Sequence, residues 1–216
     1  MKQILTDNDR SMLDQRIAET EKQTGTQIVL ASVLRSDSYA EIPWKAFAIG
    51  ASITSMLSLF LDLFVLGWIT NTLIIFSFAL ILASGAFFAL LSVFFPRFAR
   101  LFLSSQRKET ETMQYAESLF LSNELFSTQQ RRGILLLVSQ FERQVVILPD
   151  TGVRDLLSKE VMEEVISIMT LHLRKNELRQ AMEKGLEGIH AALDSSFSGR
   201  TDSDELSNEI IEEEAV

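Results

Sequence analysis

Residues 36–50 read SDSYAEIPWKAFAIG, and the character of the chain changes within them. Up to Tyr39 the sequence has the mixed composition of a water-soluble α/β domain. From Ala46 to Phe95 it is almost wholly apolar, with Asp62 as the only charge. A bilayer core about 30 Å thick takes roughly 20 apolar residues per helix, so this block is long enough to cross twice. Trp68-Ile69-Thr70-Asn71 is the natural turn. It predicts helices over 46–67 and 72–95, with Trp68 at interfacial depth, where an indole can keep its ring in lipid and its N–H in water.

The charges around the block give it an orientation. Lys45 precedes it, Arg97, Arg100, Arg107 and Lys108 follow it, and the turn has no Lys or Arg. The positive-inside rule then predicts an integral protein of a bacterial inner (cytoplasmic) membrane, with both polar segments and both termini cytoplasmic. Residues 96–108 mix cations with Phe and Leu, as an interfacial segment does. Asp62 is a functional suspect because an intramembrane carboxylate is costly, but it lies within about two turns of the loop and one acid forms no relay.

A round trip through lipid leaves the polar segments free to form one domain. Thr6-Asp7-Asn8-Asp9 is a helix-start signature, followed by Leu13 and Ile17 at helical spacing. Gly25 should end that helix, and Thr26–Leu34 reads as a buried strand. One helix and one strand cannot make a core. Their partners are expected after the hairpin: a helix over 109–126 with Met113, Ala116, Leu119, Phe120 and Asn123 on one face, then strands at 133–139 and 144–148 joined by Gln140-Phe141-Glu142-Arg143. Two helices complete the pattern, at 153–173 with Leu156, Val161, Val165, Ile168 and Met169 inward, and after an Asn176 cap with Leu178, Met182, Leu186, Ile189 and Leu193 inward. The expected segments are 1–45, 46–95, 96–108, 109–196 and an acidic tail over 197–216.

Composition narrows the function. The net charge is −9, of which −6 falls between Gly199 and Val216. No basic footprint for nucleic acid is left. The tail has too few apolar residues to fold alone and is expected to be disordered. The chain has no cysteine, which excludes disulfides and thiolate metal sites.

The polar sequence resembles the TPM domain family over about residues 5–40 and 109–194. The carriers are Leu5-Thr6-Asp7-Asn8-Asp9, Thr24-Gly25-Thr26-Gln27-Ile28-Val29, Arg132-Gly133-Ile134-Leu135-Leu136-Leu137-Val138, Glu142-Arg143-Gln144-Val145-Val146-Ile147, and Gly152 before a helix. The resemblance is closest to bacterial members divided by a membrane hairpin. It implies an α/β sandwich with a central sheet flanked by helices, interrupted by a two-helix transmembrane hairpin. Family members are diverse in role: a plant one assists photosystem II repair and has been described as an acid phosphatase, and an animal one modulates a receptor channel. Pro149-Asp150-Thr151-Gly152 stands here where the family often has a glycine-rich turn.

The chemical candidates are few. Asp150-Thr151-Gly152 has the form of an aspartic-protease tripeptide, but a single copy cannot supply two carboxylates sharing a proton. Asp150 either caps the following helix or joins Asp37 and Glu142 in holding Ca²⁺ or another divalent cation. Arg131 and Arg132 either clamp an anion or form a solvated pair before a strand. His172 and His190 sit apart on separate helices. The leading expectation is a non-enzymatic, membrane-tethered module that binds a membrane protein or complex and assists its assembly, regulation or repair. The alternative is a metal-assisted phosphatase acting at the membrane surface.

Overall fold

The computed structural model describes residues 5–66, 71–128, 130–194 and 210–213. The chain divides into two compact units, one of Met1–Asp37 with Lys108–Val216 and one of Ser38–Arg107. The hairpin is thus an insertion in the sequence between two halves of a single sheet unit.

In the first unit, α1 (Asp7–Thr24) starts at a capping box: the Thr6 hydroxyl accepts from the Asp9 amide, and the Asp9 side chain returns the bond to Thr6. It stops at Gly25, whose φ of 63° is the left-handed conformation that glycine adopts without strain. The strand β1 (Gln27–Val33) follows directly. After the insertion come α5 (Ser105–Ser122), β2 (Gly133–Ser139), β3 (Gln144–Pro149), α6 (Lys159–Arg174) and α7 (Leu178–Asp194). A short strand β4 (Ile211–Glu213) ends the described chain. The sheet order is β3-β2-β1-β4, with β1 parallel to β2 and β4, and β2 antiparallel to β3. Adjacent parallel strands need a crossover connection of a dozen or more residues. Between β1 and β2 that connection contains the whole apolar insertion and α5.

Every residue of β1 and β2 is buried, which explains why both read as continuous aliphatic runs rather than alternating ones. Alternate residues nevertheless serve different cores. Ile28, Leu30, Ile134, Leu136, Val145 and Ile147 pack with α1, α6 and α7, through residues such as Leu13, Met169 and Leu186. Val29, Ala31, Leu135, Leu137 and Val146 pack with Ala116 and Leu119 of α5. Each such aliphatic side chain, once fully buried, contributes roughly 1.5–3 kcal/mol relative to exposure.

Several expected boundaries and faces shift. On α5 it is Thr112, Ala116 and Leu119 that are buried, while Met113 turns outward. The helix α6 begins at Lys159, capped by Ser158, because residues 151–156 form turns. On it Ile168 is exposed and Leu173 takes an inner place. Asn176 does not cap α7; it adopts a left-handed φ of 62° just after α6. The tail departs from expected disorder at Ile211–Glu213, where β1 offers an edge that a short extended segment can join.

The second unit contains α2 (Glu41–Leu61), a π-helical turn over Asp62–Leu66, α3 (Asn71–Phe94), the short α4 (Pro96–Ala99) and a 3-10 turn over Arg100–Phe102. α2 begins five residues before the apolar block because Pro43 falls in the first turn, where its missing N–H costs nothing. Stretches of 24 residues (Glu41–Phe64) and 21 residues (Ile74–Phe94) are long and apolar enough to span a membrane. Only 6% of each helix's most apolar window is buried within the protein. The expected turn residue Trp68 lies outside the described residues.

Candidate functional site

The C-terminal ends of the parallel strands β1 and β2 converge on a buried polar cluster. Ser139 closes β2, and three residues later the turn into β3 carries Glu142, whose left-handed neighbour Arg143 (φ 55°) reverses the chain. Glu142 is only 2% exposed. Its carboxylate accepts from the Ser36 amide at 2.9 Å and from the Ser139 hydroxyl. The Ser36 hydroxyl lies 3.0 Å from that of Ser139 and 3.4 Å from that of Thr112 on α5. Backbone bonds from Gln140 to Val33 and from Phe141 to Leu34 bind the turn to the end of β1, and the Arg35 guanidinium lies 4.2 Å over the Phe141 ring. A carboxylate this enclosed acts as a knot: its desolvation is offset by donors that tie the segment after β1 and the end of β2 to the Glu142 turn. Sequence reasoning singled out Glu142 but missed Ser36, Thr112 and Ser139. The one available signal was a serine ending an otherwise aliphatic strand three residues before the acid.

The opposite end of the sheet holds Asp150 and Arg131. Asp150 is 3% exposed and takes a two-pronged contact from the Arg131 guanidinium, Nε to Oδ2 at 2.8 Å and Nη2 to Oδ1 at 3.0 Å. Its Oδ1 also accepts the Thr151 amide at 2.7 Å. Asp150 therefore pins its own turn to the 130–132 loop and does not cap α6. Gly152 makes this possible, since its amide bonds to the Arg131 carbonyl and a Cβ there would collide with the backbone oxygens of Gln130 and Arg131. Arg131 is thus engaged with a buried acid, and the Arg132 amide donates to the Thr128 hydroxyl at 2.9 Å.

The structure does not bring Asp37, Glu142 and Asp150 together. Glu142 and Asp150 flank the six-residue β3 at its two ends, roughly 20 Å apart at about 3.3 Å per residue. Asp37 is half-buried beside Ser36, at the Glu142 end in sequence. Among the described residues no group of three or more His, Cys, Asp or Glu could hold a metal ion. His172 contacts Glu177 at 2.9 Å, five residues on, and His190 of α7 contacts Gln23 of α1.

In the hairpin, the α2–α3 contact is a seam of small and hydroxylated residues. Thr54 donates to Ser84 at 2.7 Å, Ser84 to the Gly50 carbonyl at 3.2 Å, and Ser58 to Ser77 at 3.0 Å. The glycines admit rings from the opposite helix: a Cβ on Gly50 would stand 2.9 Å from Phe88, and one on Gly85 would stand 2.6 Å from Phe47. Asp62 is half-buried where the α-helix widens into the π turn.

Residues 99–192 match the family model described as the TPM domain. Over that stretch, somewhat under half of its length, the chain is similar to the TPM domain. The solved NMR structure of BA42 protein from the psychrophilic bacterium Bizionia argentinensis is similar in fold, with a TM-score of 0.58 over 99% of this chain and 98% of that one. Sequence identity between the two is 15%, so the likeness concerns architecture. No curated protein is significantly similar. The family match begins after β1, whereas the likeness in fold spans the chain. The sheet therefore takes one of its two inner strands, β1, from sequence before the insertion.

Proposed function

We propose that this chain is a membrane-anchored TPM adaptor: α2 and α3 cross the inner membrane as a hairpin, and the sheet unit, on the cytoplasmic side with both termini, binds a membrane protein or complex and assists its assembly, regulation or repair. The observation that carries this reading is the outward apolar surface of the hairpin. Met56, Phe64, Ile75 and Phe76 are each at least 70% exposed, in helices whose polar side chains pair with each other. In water such a surface would be an aggregation site; in lipid it is the expected exterior.

The test is crosslinking in native membranes followed by purification of the full chain in mild detergent. A second chain, with residues 38–107 exchanged for an unrelated two-helix hairpin, serves as comparison. The reading expects one integral membrane protein to co-purify reproducibly at near-stoichiometric yield. A profile no different from that of an unrelated hairpin protein would overturn it.

A further inference from the structure

The outer edge of β1 is divided between two different occupants. At its start the Ile28 amide donates to the Glu21 carboxylate of α1 at 2.8 Å, so a buried side chain satisfies the edge where a neighbouring strand would otherwise bind. Further along, β4 pairs in parallel with Ala31, Ser32 and Val33 through Ile211, Glu212 and Glu213. Among the described residues, this second half of the edge alone takes a strand. The incoming segment also fastens itself on both sides: Ile210 packs against the core under α1, α6 and α7, while Ile211 packs against the core under α5. Adjacent residues of an extended chain point to opposite faces of a sheet, so two consecutive aliphatic residues clip both cores at once. Both isoleucines remain half-buried. A three-residue ladder with two half-buried side chains is weak enough to exchange, and an uncovered strand edge is a template for another chain.

We infer that the Leu30–Val33 edge is a strand-docking groove for an extended peptide bearing two adjacent aliphatic residues. Ile210–Glu213 is its occupant within the chain, and a segment of that chemistry from the membrane partner is its competitor. The partner's identity as a membrane protein rests on the adaptor reading; the groove rests on the register and the two packed isoleucines. Glu21 sets the length of the site by closing the edge at Ile28. The aliphatic pair sets its specificity.

The experiment uses a fluorescent peptide of residues 207–216, SNEIIEEEAV, titrated by anisotropy into the full chain in nanodiscs. A full-length variant carrying Ile210→Ser and Ile211→Ser has its internal competitor weakened, so it should bind the peptide about tenfold or more tighter than the native chain does. The same two substitutions placed in the peptide should abolish binding, and that control cannot unfold the protein. No binding by a variant chain with native circular dichroism, or binding indifferent to the peptide's isoleucines, overturns the groove. Native chains forming a dimer that the double variant loses would make a second copy the occupant and overturn the partner assignment. Peptide added to the crosslinked purification should release the captured membrane protein. A protein captured but not released defeats the groove as the partner's contact and leaves the adaptor reading standing, whereas no capture at all defeats the adaptor reading and leaves the groove to the titration.

Discussion

In the sheet unit Leu30, Ile134 and Leu136 are fully buried, whereas in the hairpin Met56, Phe64 and Phe76 face outward and Thr54, Ser58, Ser77 and Ser84 meet inside. The two units use the same side chains in opposite directions. The sheet is held by removing aliphatic surface from water, a force that would not act between α2 and α3 in the lipid setting proposed for them. There, close approach at Gly50 and Gly85 and hydroxyl-to-hydroxyl bonds must suffice. Substitutions that erase one kind of cohesion should leave the other intact.

The largest effect is expected at Leu136, which is 0% exposed in the middle of β2. Leu136→Ala should cost the sheet unit about 2–5 kcal/mol through lost burial and a cavity. Thermal unfolding followed by near-ultraviolet circular dichroism reads this, while the hairpin's helical signal should persist. Loss of both together would break the contrast. Glu142→Ala leaves the buried Ser36 amide without its acceptor and should cost about 1–3 kcal/mol by the same measurement. An unchanged midpoint would remove the knot at the strand ends.

The hairpin answers to different changes. Gly85→Leu drives a branched side chain into the Phe47 ring, an overpacking that costs about 1–3 kcal/mol. Resonance energy transfer between labels on α2 and α3 should fall, and the sheet unit's unfolding midpoint should not move. A smaller effect belongs to the α1 cap. The Thr6 hydroxyl donates to the Asp9 carboxylate at 2.6 Å, and this bond, aided by the Thr6 amide and Arg179 against desolvation, holds the Asp9 pKa below its ordinary 3.8. A depressed carboxylate contributes stability that is present above pH 3.8 and lost as pH falls through the lower folded value. Asp9→Asn should remove that part of the acid slope in denaturant titrations from pH 5 to pH 2. Smallest is Thr54→Ala, which deletes one interhelical hydroxyl bond and should weaken the hairpin by about 0.6 kcal/mol in lipid.

What the sequence revealed follows the same divide. The strands and the hairpin were legible because each is a predominantly apolar run, and its length separates a seven-residue strand from a helix long enough to span a membrane. The inner face of α5 was less so. Periodicity favoured Met113, but the polar knot needs a hydroxyl at Thr112, and a side chain recruited by hydrogen bonding leaves no apolar mark. β4 was hidden because a strand of three residues in an acidic tail has no pattern of its own; the edge of β1 supplies its conformation. Asp37, Glu142 and Asp150 looked alike as acids near strand ends, and only the sheet's direction shows that Glu142 and Asp150 belong to opposite ends.

The central claim is that the apolar insertion makes a round trip through lipid. The chain has no native cysteine, so single cysteines can be placed at will. Gln3→Cys, Thr70→Cys and Ser203→Cys variants, each probed with a membrane-impermeant maleimide in right-side-out and inverted inner-membrane vesicles, read the topology directly. Labelling of positions 3 and 203 in inverted vesicles, with position 70 labelled in right-side-out ones, is the predicted result. Labelling of positions 3 and 203 from opposite faces would contradict it.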